Sequence, residues 1–168
     1  SRLVLGTVIQ NLHLDLKISS TENSFTDRLF SPHEYATEYK NKSVIFRDNE
    51  KSFEIRQFDI PAQYRDKNLG LQFQENKLSL IDLQNDQTIL TAPLNQKNSL
   101  RTAEGLWEIS IYSKDQFKDD YLIQKQSLPA AVDSILANYS VAEKGKMTGV
   151  LGLNYQGQNK EHITQILN

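Results

Sequence analysis

The run Leu106-Trp107-Glu108-Ile109-Ser110-Ile111-Tyr112 decides how this chain folds. A strand turns successive side chains to opposite faces, so Trp107, Ile109 and Ile111 share one face, and Leu106, Glu108, Ser110 and Tyr112 the other. β-Branched and aromatic residues at this density predict a strand buried on its Trp107 face. Tyr121 to Gln126 predicts the strand beside it. Leu128, Ala131, Val132, Ile135, Leu136 and Tyr139 then recur at helical spacing, with Ser127 as N-cap and Pro129 tolerated in the first turn. Val141 to Lys144 and Gly149 to Tyr155 read as strands about the turn Lys144-Gly145-Lys146. Asn159 caps a last helix carrying Ile163, Ile166 and Leu167. Residues 106–168 therefore read as strand, strand, helix, two strands, helix.

Working back towards Ser1, Leu5, Val8, Ile9 and Leu12 form an apolar i, i+3, i+4, i+7 stripe, an opening helix that ends near Asn11. His13 to Ile18 alternates polar and apolar as a half-buried strand does. Residues 19–43 turn polar and read as a loop or insertion, tacked down by Phe25, Leu29, Phe30, Tyr35 and Tyr39. Ser43 to Ile60 holds two strands. In the second, Phe53 and Ile55 share a face until Phe58 and Ile60 reverse the phase, which predicts a bulge. Leu69 to Phe73 and Leu78 to Leu80 form a hairpin about residues 74–77, and Asn85-Asp86 turns into a short strand near Thr88 to Leu90. The class is α+β: a mixed, mostly antiparallel sheet with helices packed on one side, plus an antiparallel meander in the middle third.

Composition removes several functions. The 168 residues suit one domain, 1–168, and a helix open at each end marks it as a piece of a longer protein. With 19 basic and 21 acidic residues and no segregated basic stripe, nucleic acid is not an expected partner. No cysteine is present, which excludes disulfides, thiol nucleophiles and Cys-ligated zinc. The longest apolar runs are far too short to span a bilayer.

The reactive patterns each meet a plainer explanation. Gly145-Lys146 lacks the Ser or Thr and the leading glycine of a phosphate loop, and reads as a hairpin turn. His13, His33 and His162 stand apart, and His13 with Asp15 reads as a solvated strand face. Asp82, Gln84 and Asp86 have calcium-loop spacing, but no turn glycine and no closing glutamate. Glu108 with Asp119 or Asp120 could supply the carboxylate pair of a glycosidase, yet all read as solvent-facing. Trp107 reads as core rather than as a sugar platform. The Asn41 and Asn138 sequons are frequent by chance. No catalytic, cofactor or metal residue is assigned, and no ligand-binding residue is fixed.

The order and spacing of several segments carry a family likeness. They are Ser1 to Gly6 followed by Leu12 to Leu16; Phe58-Asp59-Ile60-Pro61; Leu69 to Phe73 and Leu78 to Asp82; Gln116-Phe117; Ala130 to Leu136; Ser140 to Lys146; Gly149-Val150-Leu151; Tyr155-Gln156-Gly157; and Ile166-Leu167-Asn168. Through these the chain resembles the periplasmic Wzz-type, chain-length-determinant domain of bacterial polysaccharide co-polymerases. Its central strands resemble most the Wzc-like branch, whose full chain ends in a cytoplasmic tyrosine autokinase. The resemblance implies a non-catalytic periplasmic scaffold of an inner-membrane protein active in exopolysaccharide or capsule assembly, chain-length control and export. Membrane helices absent here would flank it. Its partners would be further copies of the parent and components of polysaccharide polymerisation and export. The rival reading is a carbohydrate-binding module that contacts the polymer through Tyr112, Tyr121 and Tyr155.

Overall fold

Alternating apolar side chains place strands in the computed structural model, which describes residues 2–21 and 34–148 (side chains to residue 142). Helix α1 (Arg2–Leu12) leads into β1 (Leu16–Ser20). Then come β2 (Tyr35–Lys40), β3 (Ser43–Asp48), β4 (Lys51–Asp59), a 3-10 turn (Ala62–Tyr64), β5 (Asn68–Gln74), β6 (Lys77–Asp82), β7 (Gln87–Pro93), β8 (Gln96–Thr102), β9 (Gly105–Tyr112), β10 (Tyr121–Lys125) and α2 (Leu128–Thr148). The class is α+β as read from the sequence, with all strand pairs antiparallel and the strands divided between two sheets. One sheet has the order β1-β10-β5-β6-β7 and the other β2-β3-β4-β9-β8. The middle third is the expected meander, β5-β6-β7.

Tight turns close the hairpins on residues that take a left-handed backbone, two of them asparagines, which tolerate it best. Asn41 and Lys42 (φ 53° and 61°) join β2 to β3, Glu75 (φ 56°) joins β5 to β6, and Asn95 (φ 63°) joins β7 to β8. The phase reversal in β4 is a real bulge: pairing with β9 slips between Ile55 and Gln57. Arg56, the skipped residue, lays its guanidinium 3.9 Å from the centroid of the Tyr112 ring.

The inward faces of the two sheets meet in one apolar cluster. Phe46 and Phe53 of the β2-β3-β4-β9-β8 sheet pack on Tyr121 of the other at centroid distances of 5.3 and 5.5 Å, and Phe53 reaches Phe73 at 4.9 Å. Trp107, Ile109 and Ile111 are fully buried, as the β9 alternation requires. At one edge Tyr39 Oη donates to the Leu16 carbonyl (2.7 Å), fastening β2 to β1.

The helices pack antiparallel on each other: Arg2 reaches Asp133 at 2.6 Å, while Gly6 lies under Leu128 near the start of α2. Leu5 and Ile9 of α1 and Ala131, Val132 and Ile135 of α2 join the core. Helix α1 stops because His13 takes φ 57° and the Leu14 N–H donates back to the Ile9 carbonyl (3.0 Å), a left-handed C-terminal cap.

Three local readings change, and one strand, β8, is new. Part of the expected loop at residues 19–43 is strand β2, which presents Thr37 and Tyr39 inwards. Strand β8 is almost wholly polar, and its one buried residue is Asn98, whose amide donates to the Pro93 carbonyl (2.8 Å). Strand β10 is not the neighbour of β9; it joins β1 to β5 in the other sheet. Val141 to Lys144, expected as a strand, continues α2, with Tyr139 and Ala142 extending the spacing of Ile135 and Leu136. The expected strand at Gly149 to Tyr155 and the last helix lie outside the described residues.

Candidate functional site

Residues marked by sequence as possible chemistry are mostly held by the protein itself. Tyr121 is 1% exposed, and its hydroxyl donates to Asp48 Oδ2 at 2.6 Å. Burial, then the hydrogen bond and charge of Asp48, push its ionisation far above the ordinary phenol range. Tyr112 is half-buried beneath Arg56, and Tyr155 lies outside the described residues. The expected platform of Tyr112, Tyr121 and Tyr155 is therefore corrected for Tyr121, a core residue that no sugar ring can reach.

The carboxylates do not converge either. Glu108 on β9 accepts from Gln57 Nε2 at 2.8 Å, and the same amide donates to Asp59 Oδ2 at 2.9 Å. Exposed Asp119 and Asp120 precede β10 in the other sheet, where Asp120 Oδ2 accepts from Gln72 Nε2 (3.0 Å). Asp82 Oδ1 accepts the Gln84 N–H (2.9 Å), and Asp86 takes φ 54°, so the calcium-like spacing closes the β6–β7 turn. Among the described residues no three His, Cys, Asp or Glu side chains gather as metal ligands would. Gly145-Lys146 falls within α2 rather than in a hairpin turn. Trp107 is core: its Nε1 donates to Thr102 Oγ1 (2.9 Å) and its ring packs at 5.0 Å on Tyr64.

His13 and Asp15 are not a solvated pair. Asp15 is buried and accepts from Lys125 Nζ at 3.1 Å, with both side chains under a tenth exposed. The Asp15 carbonyl also takes the Gln126 N–H (2.7 Å), locking β1 to the residue after β10. Burial, followed by the Lys125 charge, lowers the pKa of His13, while Asp15 and Asp59 oppose the shift. Charge spacing in sequence could not reveal this pair, because its partners, Asp15 and Lys125, stand far apart in the chain.

One concave feature escaped the sequence. Between the 3-10 turn, the start of β5 and the β6–β7 turn lies a depression of about 200 Å³, lined by Tyr64, Lys67, Leu69 and Asp82 among others. Among the described residues no helix is long and apolar enough to cross a membrane.

No protein-family model matches the chain. All 168 residues align at 68% identity with the tyrosine-protein kinase Ptk of Acinetobacter johnsonii, covering 23% of that protein. The whole chain also aligns at 27% identity with the tyrosine-protein kinases Wzc of Salmonella typhimurium and Salmonella typhi, covering 21% of each. The chain thus spans less than a quarter of the length of the relatives it matches. It is the counterpart of one region of bacterial tyrosine-protein kinases. The similarity to proteins named Wzc agrees with the branch its central strands resemble.

Proposed function

We propose that this chain is the non-catalytic, periplasmic scaffold region of a polysaccharide co-polymerase tyrosine autokinase that acts in exopolysaccharide or capsule assembly and export. One observation carries the reading. Among the described residues of a region matched end to end within tyrosine-protein kinases, Tyr121, Glu108 and His13 serve core packing, strand contacts and a helix cap, and no three His, Cys, Asp or Glu side chains gather. Phosphoryl transfer needs backbone amides and a cation around the phosphates with a metal ion between them. The one Gly-Lys step, Gly145-Lys146, is helical here.

Tethered by a parent membrane protein, several copies of such a region meet at high effective concentration, so each lateral contact needs little affinity of its own. A rigid two-sheet body suits that role, since a shape that does not yield transmits position. The rival sugar platform of Tyr112, Tyr121 and Tyr155 loses Tyr121, which is core.

The test separates scaffold from catalyst. The purified chain, incubated with magnesium and radiolabelled ATP, is expected to take up no phosphate and release none. Incorporation of label into any of its tyrosines without an added kinase contradicts the assignment.

A further inference from the structure

We infer that the turn joining α1 to β1 is a proton-operated latch: uptake of one proton by His13 below neutral pH opens the turn and frees the end of α1. His13 holds φ 57°, a sparsely populated backbone for a residue with a side chain. Two hydrogen bonds close the turn around it. The Leu14 N–H donates to the Ile9 carbonyl (3.0 Å), and the Leu16 N–H donates to the His13 carbonyl (3.2 Å).

The surroundings of His13 set it apart from a histidine on open surface. Its side chain is half-buried, and three charges reach it: Lys125 of β10, Asp15 ahead of β1, and Asp59 at the end of β4. Within α1 itself the one ionic residue, Arg2, stands at the opposite end, paired with Asp133 of α2. Neither nearby carboxylate is at liberty to neutralise an imidazolium. Asp15 is committed to Lys125 Nζ at 3.1 Å, with both groups buried. Asp59 is exposed, where water and salt screen its charge, and its Oδ2 already accepts from Gln57. Asp66, which meets the Lys125 backbone, gives Oδ1 to the Ser127 N–H (2.8 Å).

A second cation in this corner therefore leaves water and meets Lys125 without a counter-charge of its own. Burial and the Lys125 charge accordingly weaken the hold of His13 on a proton while the turn is closed. With the turn open, the ring returns to water and binds its proton at about pH 6.5, as an ordinary histidine does. Closed, it does so only at lower pH. Between those two values acid favours the open form, and above about pH 6.5 the latch stays shut.

This inference goes beyond the proposed function and does not rest on it. The experiment is amide hydrogen exchange of the purified chain from about pH 5 to 8, corrected for the pH dependence of the intrinsic rate. Leu14 and Leu16 follow the turn, and fully buried Ile109 of β9 follows the core. Leu14 and Leu16 should exchange faster than Ile109 throughout and lose protection below about pH 6.5, by up to about tenfold per pH unit for one proton. His13→Asn retains the left-handed turn, which asparagine tolerates, and removes the titrating group, so the acid step should vanish. Asp59→Asn, at an exposed position, removes an attraction and should move the step to lower pH. Three results overturn the latch: protection at Leu14 and Leu16 equal to that of Ile109, an acid step that survives His13→Asn, or protection that rises in acid. The last would mean that the imidazolium has taken Asp15 Oδ1, which accepts from no described donor, and tightened the turn. Should His13→Asn fail to fold, the imidazole proton resonances of His13 in the natural chain decide: a midpoint below about pH 6.5 supports the latch, and one at or above it overturns it. A negative result leaves the scaffold assignment intact, because that assignment is read from phosphate transfer.

Discussion

Two buried polar contacts between β10 and residues distant in the chain set the behaviour of single substitutions. Tyr121 donates to Asp48 from the centre of the aromatic cluster. Tyr121→Phe keeps the packing and removes one hydrogen bond to an acidic group, so it should cost about 1.5–3 kcal/mol in urea unfolding. The sign of its pH dependence follows from the raised ionisation. The unfolded phenol titrates at about pH 10, while the native one keeps its proton well beyond. This contribution is complete below about pH 10 and is lost above it, at up to about 1.4 kcal/mol per pH unit. Unfolding free energies measured from about pH 9 to 11 should therefore fall more steeply for the natural chain than for Tyr121→Phe. The Asp15–Lys125 pair follows different rules. Asp15→Asn leaves Lys125 buried without its counter-charge and should cost about 3–5 kcal/mol. Asp15 Oδ1 accepts from no described donor, so the pair is incompletely satisfied. The double replacement Asp15→Leu with Lys125→Met should for that reason recover most of the loss, as denaturation midpoints would record.

Glycine positions report how tightly the elements pack. A Cβ at Gly70 on β5 would stand 3.1 Å from Ile81 Cβ on β6, an atom fixed to its own strand. Gly70→Val should destabilise by about 1–3 kcal/mol, seen as a lower thermal midpoint. At Gly6 the intruding Cβ comes closest to the Leu128 Cδ2 methyl (3.1 Å), which can swing, and alanine improves helix propensity. Gly6→Ala should stay within about 1 kcal/mol of neutral. Much at this scale was legible in sequence. Strict alternation marked β9, the phase break marked the β4 bulge, and the apolar stripes marked α1 and the first half of α2. Strand β8 left little apolar trace, since its inward face offers only Asn98 and the partly buried Leu100. Strand β2 was obscured because its inward side chains, Thr37 and Tyr39, sit among polar neighbours. The continuation of α2 through Val141 was misread because a four-residue run fits either period. The Tyr64 depression joins residues from three segments, and no local pattern points to it.

For the molecule as a whole, connectivity explains why pairing partners were harder to read than strands. Strand β10 lies between β1 and β5, and Leu16 pairs with Lys125 across most of the described chain. Periodicity says that a strand has a buried face but not which strand lies beside it. Leu5 and Ile9 of α1 and Ala131, Val132 and Ile135 of α2 join the same core as the two sheets, in a body whose proposed work is positional. Its proposed place outside the cytoplasm is open to a direct measurement, because the chain has no cysteine. The exposed turn residue Lys42, replaced by cysteine in the full parent protein with its other cysteines removed, provides a single reporter. Cells with permeabilised outer membranes are treated with a membrane-impermeant maleimide before lysis. Labelling of this cysteine while the inner membrane is intact is the result predicted; labelling only after the inner membrane is broken would contradict the account.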